Sequence, residues 1–161
     1  MSLILKNFDQ QRIVSQEEII SIIEKLPKHH LKGLKYIVYD PTRFFKRSYV
    51  MPEITNYQIK GQYIPELLDA IIIYEIAGKE SFKHILLHEI GHFVFQKILK
   101  PKDRNFWLTQ LYSKKNFISD YARTNVQEDF AESYSFYFQE KFFSYSLQEK
   151  FTFLKKISAS I

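Results

Sequence analysis

Cysteine is absent from this chain of 161 residues. Disulfides and thiolate metal ligands are therefore excluded, and any metal must be held by histidine, aspartate or glutamate. The absence fixes no redox compartment. Glycine and proline are scarce, at 4 and 5, which argues against long flexible linkers. No apolar run approaches the length of a membrane span, so no span is expected. The apolar run in the opening "MSLILKNFDQQR" is too short for a secretory leader. Basic residues exceed acidic ones by 5, yet no Arg-rich run or basic–aromatic alternation accompanies them. A lysine-rich solvated surface is the expectation, with no nucleic-acid partner. Histidine numbers only five, and none follows His92.

What is abundant is apolar and aromatic. Apolar residues make up 45% of the chain, with 15 Phe and 11 Tyr. That is a globular composition, long enough for one domain spanning 1–161 with a substantial core. "SQEEIISIIEKL" reads as an amphipathic helix opened by a capping box, Ser15 with Glu18. "LKYIVYD" and "AIIIYEI" read as strands, and "RSYVMPEITNYQIKGQYI" has room for two more. Helices are expected over "KHILLHEIGHFVFQKIL", "RNFWLTQLYSKK" and "VQEDFAESYSFYFQEKF". A last helix is expected from Ser146, with Glu149 completing a second capping box. A helix, a few strands and then helices make an α+β chain: a small N-terminal twisted sheet, then a helical half.

The stretch "HEIGH" carries the chemistry. Four residues along a helix turn a side chain by about 400°, so His88 and His92 lie roughly 40° apart in azimuth and about 6 Å apart in height. Two imidazoles so placed can bind one ion, and Glu89 sits beside it, able to move a proton. This is the HExxH arrangement of zinc peptidases. One zinc per chain is the expected cofactor. Gly91, costly inside a helix, implies close approach of another element. His84, one turn upstream on the same face, is expected at the rim or behind the ligands. A catalytic zinc takes three protein ligands, and with no later histidine the third must be a carboxylate. "YARTNVQEDFAES" offers Glu128, Asp129 and Glu132. Glu128 and Glu132 share a face, so one can bind metal while the other braces a histidine. Asp129 is expected to face solvent. Glu128 can equally complete a capping box with Asn125, and spacing alone leaves Glu128 and Glu132 both open.

"HEIGH" followed by "YARTNVQEDFAESYSFYF" resembles the catalytic domain of anthrax toxin lethal factor and its relatives, the secreted Pro-Pro endopeptidases. Residues 88 to 138 carry the resemblance, which implies a zincin-like metallopeptidase domain. It implies that His88, His92 and Glu128 bind zinc, that Glu132 hydrogen-bonds a ligand histidine, and that Glu89 is general base and then acid. It further implies that the Tyr121 hydroxyl stabilises the oxyanion of a tetrahedral intermediate. The partner would be a peptide or protein substrate bound in extended form, with "AIIIYEI" as the pairing edge, though a buried central strand fits that run equally. Gln127 departs from the acidic residue expected in the Pro-Pro endopeptidases, so their specificity does not transfer. The resemblance favours a secreted protein and the missing leader a cytoplasmic one. Two other readings remain: an intracellular repressor-cleaving peptidase, which also uses "HEIGH", and a non-catalytic binding module that kept its zinc.

Overall fold

The computed structural model describes residues 3–45 and 59–159. Among these the strands are β1 (Ile4–Lys6), β2 (Tyr36–Tyr39), β3 (Gly61–Ile64) and β4 (Ala70–Ile73). Its α-helices are α1 (Gln16–Glu24), α2 (Lys79–Phe93), α3 (Pro101–Phe106), α4 (Val126–Phe138) and α5 (Gln148–Ala159). The class is α+β, as expected.

The sheet order is β1-β2-β4-β3, with β1, β2 and β4 parallel and β3 antiparallel along one edge. Helix α1 connects the first parallel pair. Its capping box forms as the sequence reading has it: Ser15 Oγ accepts the Glu18 N–H, and Glu18 accepts the Ser15 N–H in return. The run "AIII" is buried along its whole length because β4 lies inside the sheet. Ile71 and Ile73 join the main core, while Ala70 and Ile72 join a smaller cluster with Val38, Ile64 and Tyr74 on the other face. A strand covered on both faces needs an unbroken apolar run. Of the two readings of this run, the buried central strand holds and the pairing edge does not; among the described residues the sheet's edges are β1 and β3. Strand β1 escaped the sequence reading, since three residues are too few to show a period.

Helix α2 packs against the sheet and crosses α4 at Gly91. A Cβ built on Gly91 would stand 3.0 Å from Ala131 Cα and 3.1 Å from Tyr134 Cβ. Glycine is thus what lets the two helices approach, as expected of a costly mid-helix glycine. Beneath the crossing, Trp107, Phe130 and Phe153 form an aromatic floor, with ring centroids 4.9 Å (Trp107–Phe130) and 5.3 Å (Trp107–Phe153) apart.

The expected C-terminal helix begins at Gln148, after a 3-10 turn over Tyr145–Leu147, and not at Ser146. The segment expected as one helix over 104–115 is α3 followed by a π-helical turn (Trp107–Leu111) and a 3-10 turn. Of the two strands expected around Pro52 and Gly61, the second is β3; the first lies outside the described residues.

Candidate metal centre

The α2–α4 crossing brings one histidine-bearing face against one carboxylate-bearing face. His88 and His92 lie on α2, one turn apart, and Glu128 and Glu132 on α4, also one turn apart. Glu128 Oε1 stands 2.8 Å from His88 Nε2 and 3.1 Å from His92 Nε2. The donor atoms of His88, His92 and Glu128 all lie within 4.8 Å of one another, so this group can hold a metal ion. Asn125 does cap α4, accepting the Glu128 N–H at 2.8 Å. The Glu128 carboxylate, however, turns to the histidines. Only the backbone half of a capping box forms, and it holds the first turn so that the side chain points inward.

Whether these residues fit a cation is decided by proton placement. His88 Nδ1 donates to Glu132 Oε2 at 2.7 Å, which leaves the lone pair on Nε2 facing the Glu128 oxygen. Two acceptors 2.8 Å apart require something positive between them. In the metal-free protein that is a proton. Burial opposes charge on His88, but hydrogen bonds to Glu128 and Glu132 and the charges of Glu89 and Glu128 outweigh it and push its pKa up to about 10. Burial likewise opposes charge on Glu128, and His88 and His92 overcome it, bringing its pKa down to about 2. Ligands of a tetrahedral zinc bound at about 2.0–2.1 Å sit roughly 3.3 Å apart. The observed spacings need to open by only a few tenths of an ångström, so the residues fit.

His84, His88 and Glu132 make a second group able to hold a metal, sharing His88. Its hydrogen bonds already account for its geometry. Gln139 Nε2 donates to His84 Nδ1 at 2.8 Å, so His84 carries its proton on Nε2 and gives it to Glu132 Oε2 at 2.9 Å. His84 therefore stands behind the ligand histidine, as one of the two positions expected for it.

Glu89 is 7% exposed and lies against the β3 edge. Burial pushes its pKa up, while His88 and His92 pull the other way and the Tyr63 backbone N–H donates to it. A carboxyl whose hold on a proton is strengthened by burial can both take one and return it. A Cβ at Gly61 would stand 2.7 Å from Ile85 Cγ2 and 3.2 Å from Glu89 Cγ, so a glycine in β3 makes room for this side chain. Tyr121, in a 3-10 turn over Tyr121–Arg123, sets its ring 5.6 Å from that of His88. Partial burial and then the charges of Glu128, Glu89 and Glu132 raise its pKa well above the ordinary value, keeping the phenol a donor. All six residues singled out from the sequence for the site are brought together.

Asp129 is the exception to the sequence reading. It is fully buried, not solvent-facing. It accepts from Lys150 Nζ at 2.8 Å and from Trp107 Nε1 at 3.0 Å, anchoring α4 from behind. The sequence held a usable signal: in a helix with Glu128 and Glu132 on one face, Phe130 and its neighbours claim the interior for the opposite face.

Two adjoining cavities, about 300 Å³ and 280 Å³, flank the centre and share Ile59, Gly61, His88, Glu89 and Tyr121. Gln62, Gln96 and Gln127 line one, Lys60 and Ile85 the other. Of the stretch "RSYVMPEITNYQIKGQYI", Ile59 to Tyr63 line these cavities and 47–58 lie outside the described residues. No protein-family profile matches the chain, and no curated protein matches it closely enough to count as a relative.

Proposed function

We propose that this protein is a zinc-dependent endopeptidase of the lethal factor and Pro-Pro endopeptidase type, with a zincin-like fold. The observation that carries the reading is the convergence of His88 Nε2, His92 Nε2 and Glu128 Oε1 beside a buried Glu89. His88, His92 and Glu128 would hold one zinc, which when bound supplies a Lewis acid to activate water and polarise a carbonyl. Glu132 fixes the tautomer of His88, so that Nε2 presents its lone pair. Glu89 takes a proton from the attacking water and delivers it to the leaving amine. The Tyr121 hydroxyl, held protonated, donates to the oxyanion.

Strand β3 offers a docking edge. The Lys60 carbonyl accepts the Tyr74 N–H at 2.8 Å, so Lys60 and Gln62 turn their polar backbone groups to β4. In an antiparallel pair the residues alternate. Gly61 and Tyr63 therefore direct theirs to the open side, and the Tyr63 N–H is taken by Glu89. Among the described residues, the Gly61 N–H and both carbonyls remain for an extended peptide added as a further strand. No helix among the described residues is long and apolar enough to cross a membrane. Gln127 gives one cavity a neutral amide wall, and no preference for proline is assigned.

The deciding experiment is cleavage of a diverse peptide library by the purified protein, beside Glu89→Ala and beside a chelated sample. Cuts lost in both controls support the reading. One bound zinc per chain with no cuts in any peptide counts against a general endopeptidase and favours a zinc-retaining binding module.

A further inference from the structure

Glu132 has two oxygens, and only one faces the histidines. Oε2 accepts from His88 Nδ1 and His84 Nε2 at 2.7 and 2.9 Å. Oε1 accepts the Ser119 hydroxyl at 2.7 Å. A serine hydroxyl has one proton to give and two lone pairs. With its proton committed to Glu132, Ser119 Oγ accepts the Ala122 N–H at 3.3 Å. A continuous path of hydrogen bonds thus runs from the His88 ring, through Glu132 and Ser119, to the backbone of the turn that carries Tyr121.

Side chains also hold that turn: the Tyr121 hydroxyl bonds to the Glu128 carboxylate, and Arg123 pairs with Asp120 and lies over the Phe117 ring. The turn is three residues long, closed by Arg123 N–H to the Asp120 carbonyl and Thr124 N–H to the Tyr121 carbonyl, both 3.1 Å. Runs of 3-10 helix are short and their hydrogen bonds poorly aligned. The buried methyl of Ala122 sets how deep the turn sits, but a methyl contact has no direction. Ser119 supplies a directional bond to the backbone of the turn, where Glu128 meets only the Tyr121 side chain, and it takes its own orientation from Glu132.

We infer that Ser119 is a positioning residue: it places Tyr121 over His88 by tying the turn to the same carboxylate that orients the metal-binding histidine. Histidine orientation and tyrosine placement are then one linked arrangement. The chemical consequence rests on the peptidase reading; the link itself does not, and it is measurable without turnover.

The test is amide hydrogen exchange over residues 120–124 in the full chain, with and without added zinc. Without metal, Ser119→Ala should speed exchange there about 10-fold, the worth of one hydrogen bond, while Ser119→Thr, which keeps the hydroxyl, stays within about 3-fold. Zinc should slow exchange in this segment for the wild type and Ser119→Thr, and much less for Ser119→Ala. Unchanged exchange in Ser119→Ala overturns the proposal. So does equal acceleration along all of α4, which would mean general loosening. If peptides are cleaved, Ser119→Ala should lower kcat about 10-fold with KM little changed. Adding Tyr121→Phe to it should then cost far less than Tyr121→Phe alone; fully additive losses would overturn the link. If no peptide is cleaved but exchange follows the expected pattern, the peptidase reading fails and the Ser119 link stands.

Discussion

At the scale of single residues, the site depends on which atoms carry protons. Glu89 and Glu128 are both carboxylates within reach of His88 and His92, yet burial drives Glu89 upward while two imidazoles hold Glu128 down at about 2. One holds its proton more readily than an exposed carboxyl, and the other keeps a negative charge. Glu89→Gln keeps the size and removes the proton acceptor. Peptide turnover should fall about 10²–10⁴-fold, the usual worth of a general acid–base, with zinc affinity near that of the wild type. A parallel loss of zinc would mean that Glu89 helps hold the ion and would sink its assignment as a base. On the proposed peptidase reading Tyr121→Phe would remove one oxyanion donor, and kcat should fall by about 100-fold with KM little altered; a change confined to KM would make it a substrate contact instead. These residues were legible because HExxH fixes both identity and spacing. Glu128 was not settled by spacing, because capping and metal binding make the same demand at the third position of a helix. The structure has the backbone N–H of that residue meeting the first demand and its side chain turned to the second.

Elements bring those residues within reach, and here two small residues govern. Gly91 allows the α2–α4 approach, and its replacement by alanine puts a methyl about 3 Å from the Ala131 backbone. Alanine gains up to about 1 kcal/mol in helix propensity, but overpacking costs about 1–3 kcal/mol. The net expectation is a loss of roughly 1 kcal/mol in urea unfolding, together with weaker zinc binding as His88 and Glu128 are pushed apart. A more stable variant with unchanged zinc affinity would show that the crossing has slack. The existence of most elements could be read from period and capping: α1, β2, α2, α4 and the burial of β4 all follow from local pattern. Their neighbours could not. The run "AIII" looks the same as an edge or as a centre, because hydrophobicity reports burial on both faces and not which strands lie alongside. Asp129 failed for a similar reason. An aspartate beside two site glutamates reads as surface until Lys150, from a helix 21 residues later, is seen to reach it.

For the whole molecule, polar groups buried away from the site tie its halves together. Lys150 on α5 is 3% exposed, with its ammonium on Asp129 and on the Asn116 carbonyl and over the Phe117 ring. Lys150→Met should destabilise by about 3–5 kcal/mol, because it strands a buried carboxylate. The double variant with Asp129→Asn should recover much of that loss, and equal instability of both would mean that packing, not charge, is what Lys150 contributes. His30 makes the corresponding link between the N-terminal half and the helices. It is 1% exposed; Tyr134, which packs on Gly91, lies 2.9 Å from its Nδ1, and its Nε2 donates to the Ile157 carbonyl at 3.2 Å. Burial lowers its pKa from 6.5 to about 4, with the Ile157 carbonyl opposing and His29 assisting. A depressed histidine binds its proton more readily when unfolded, so its contribution is complete above about pH 6.5 and is lost as pH falls through about 4. The full difference is roughly 3 kcal/mol, from 1.36 kcal/mol per pKa unit. Unfolding free energies of the wild type and His30→Gln, measured from pH 7 to 4, should therefore converge as the pH falls. Curves that stay parallel would mean that His30 titrates alike in both states, and that the acid sensitivity of this fold comes from elsewhere.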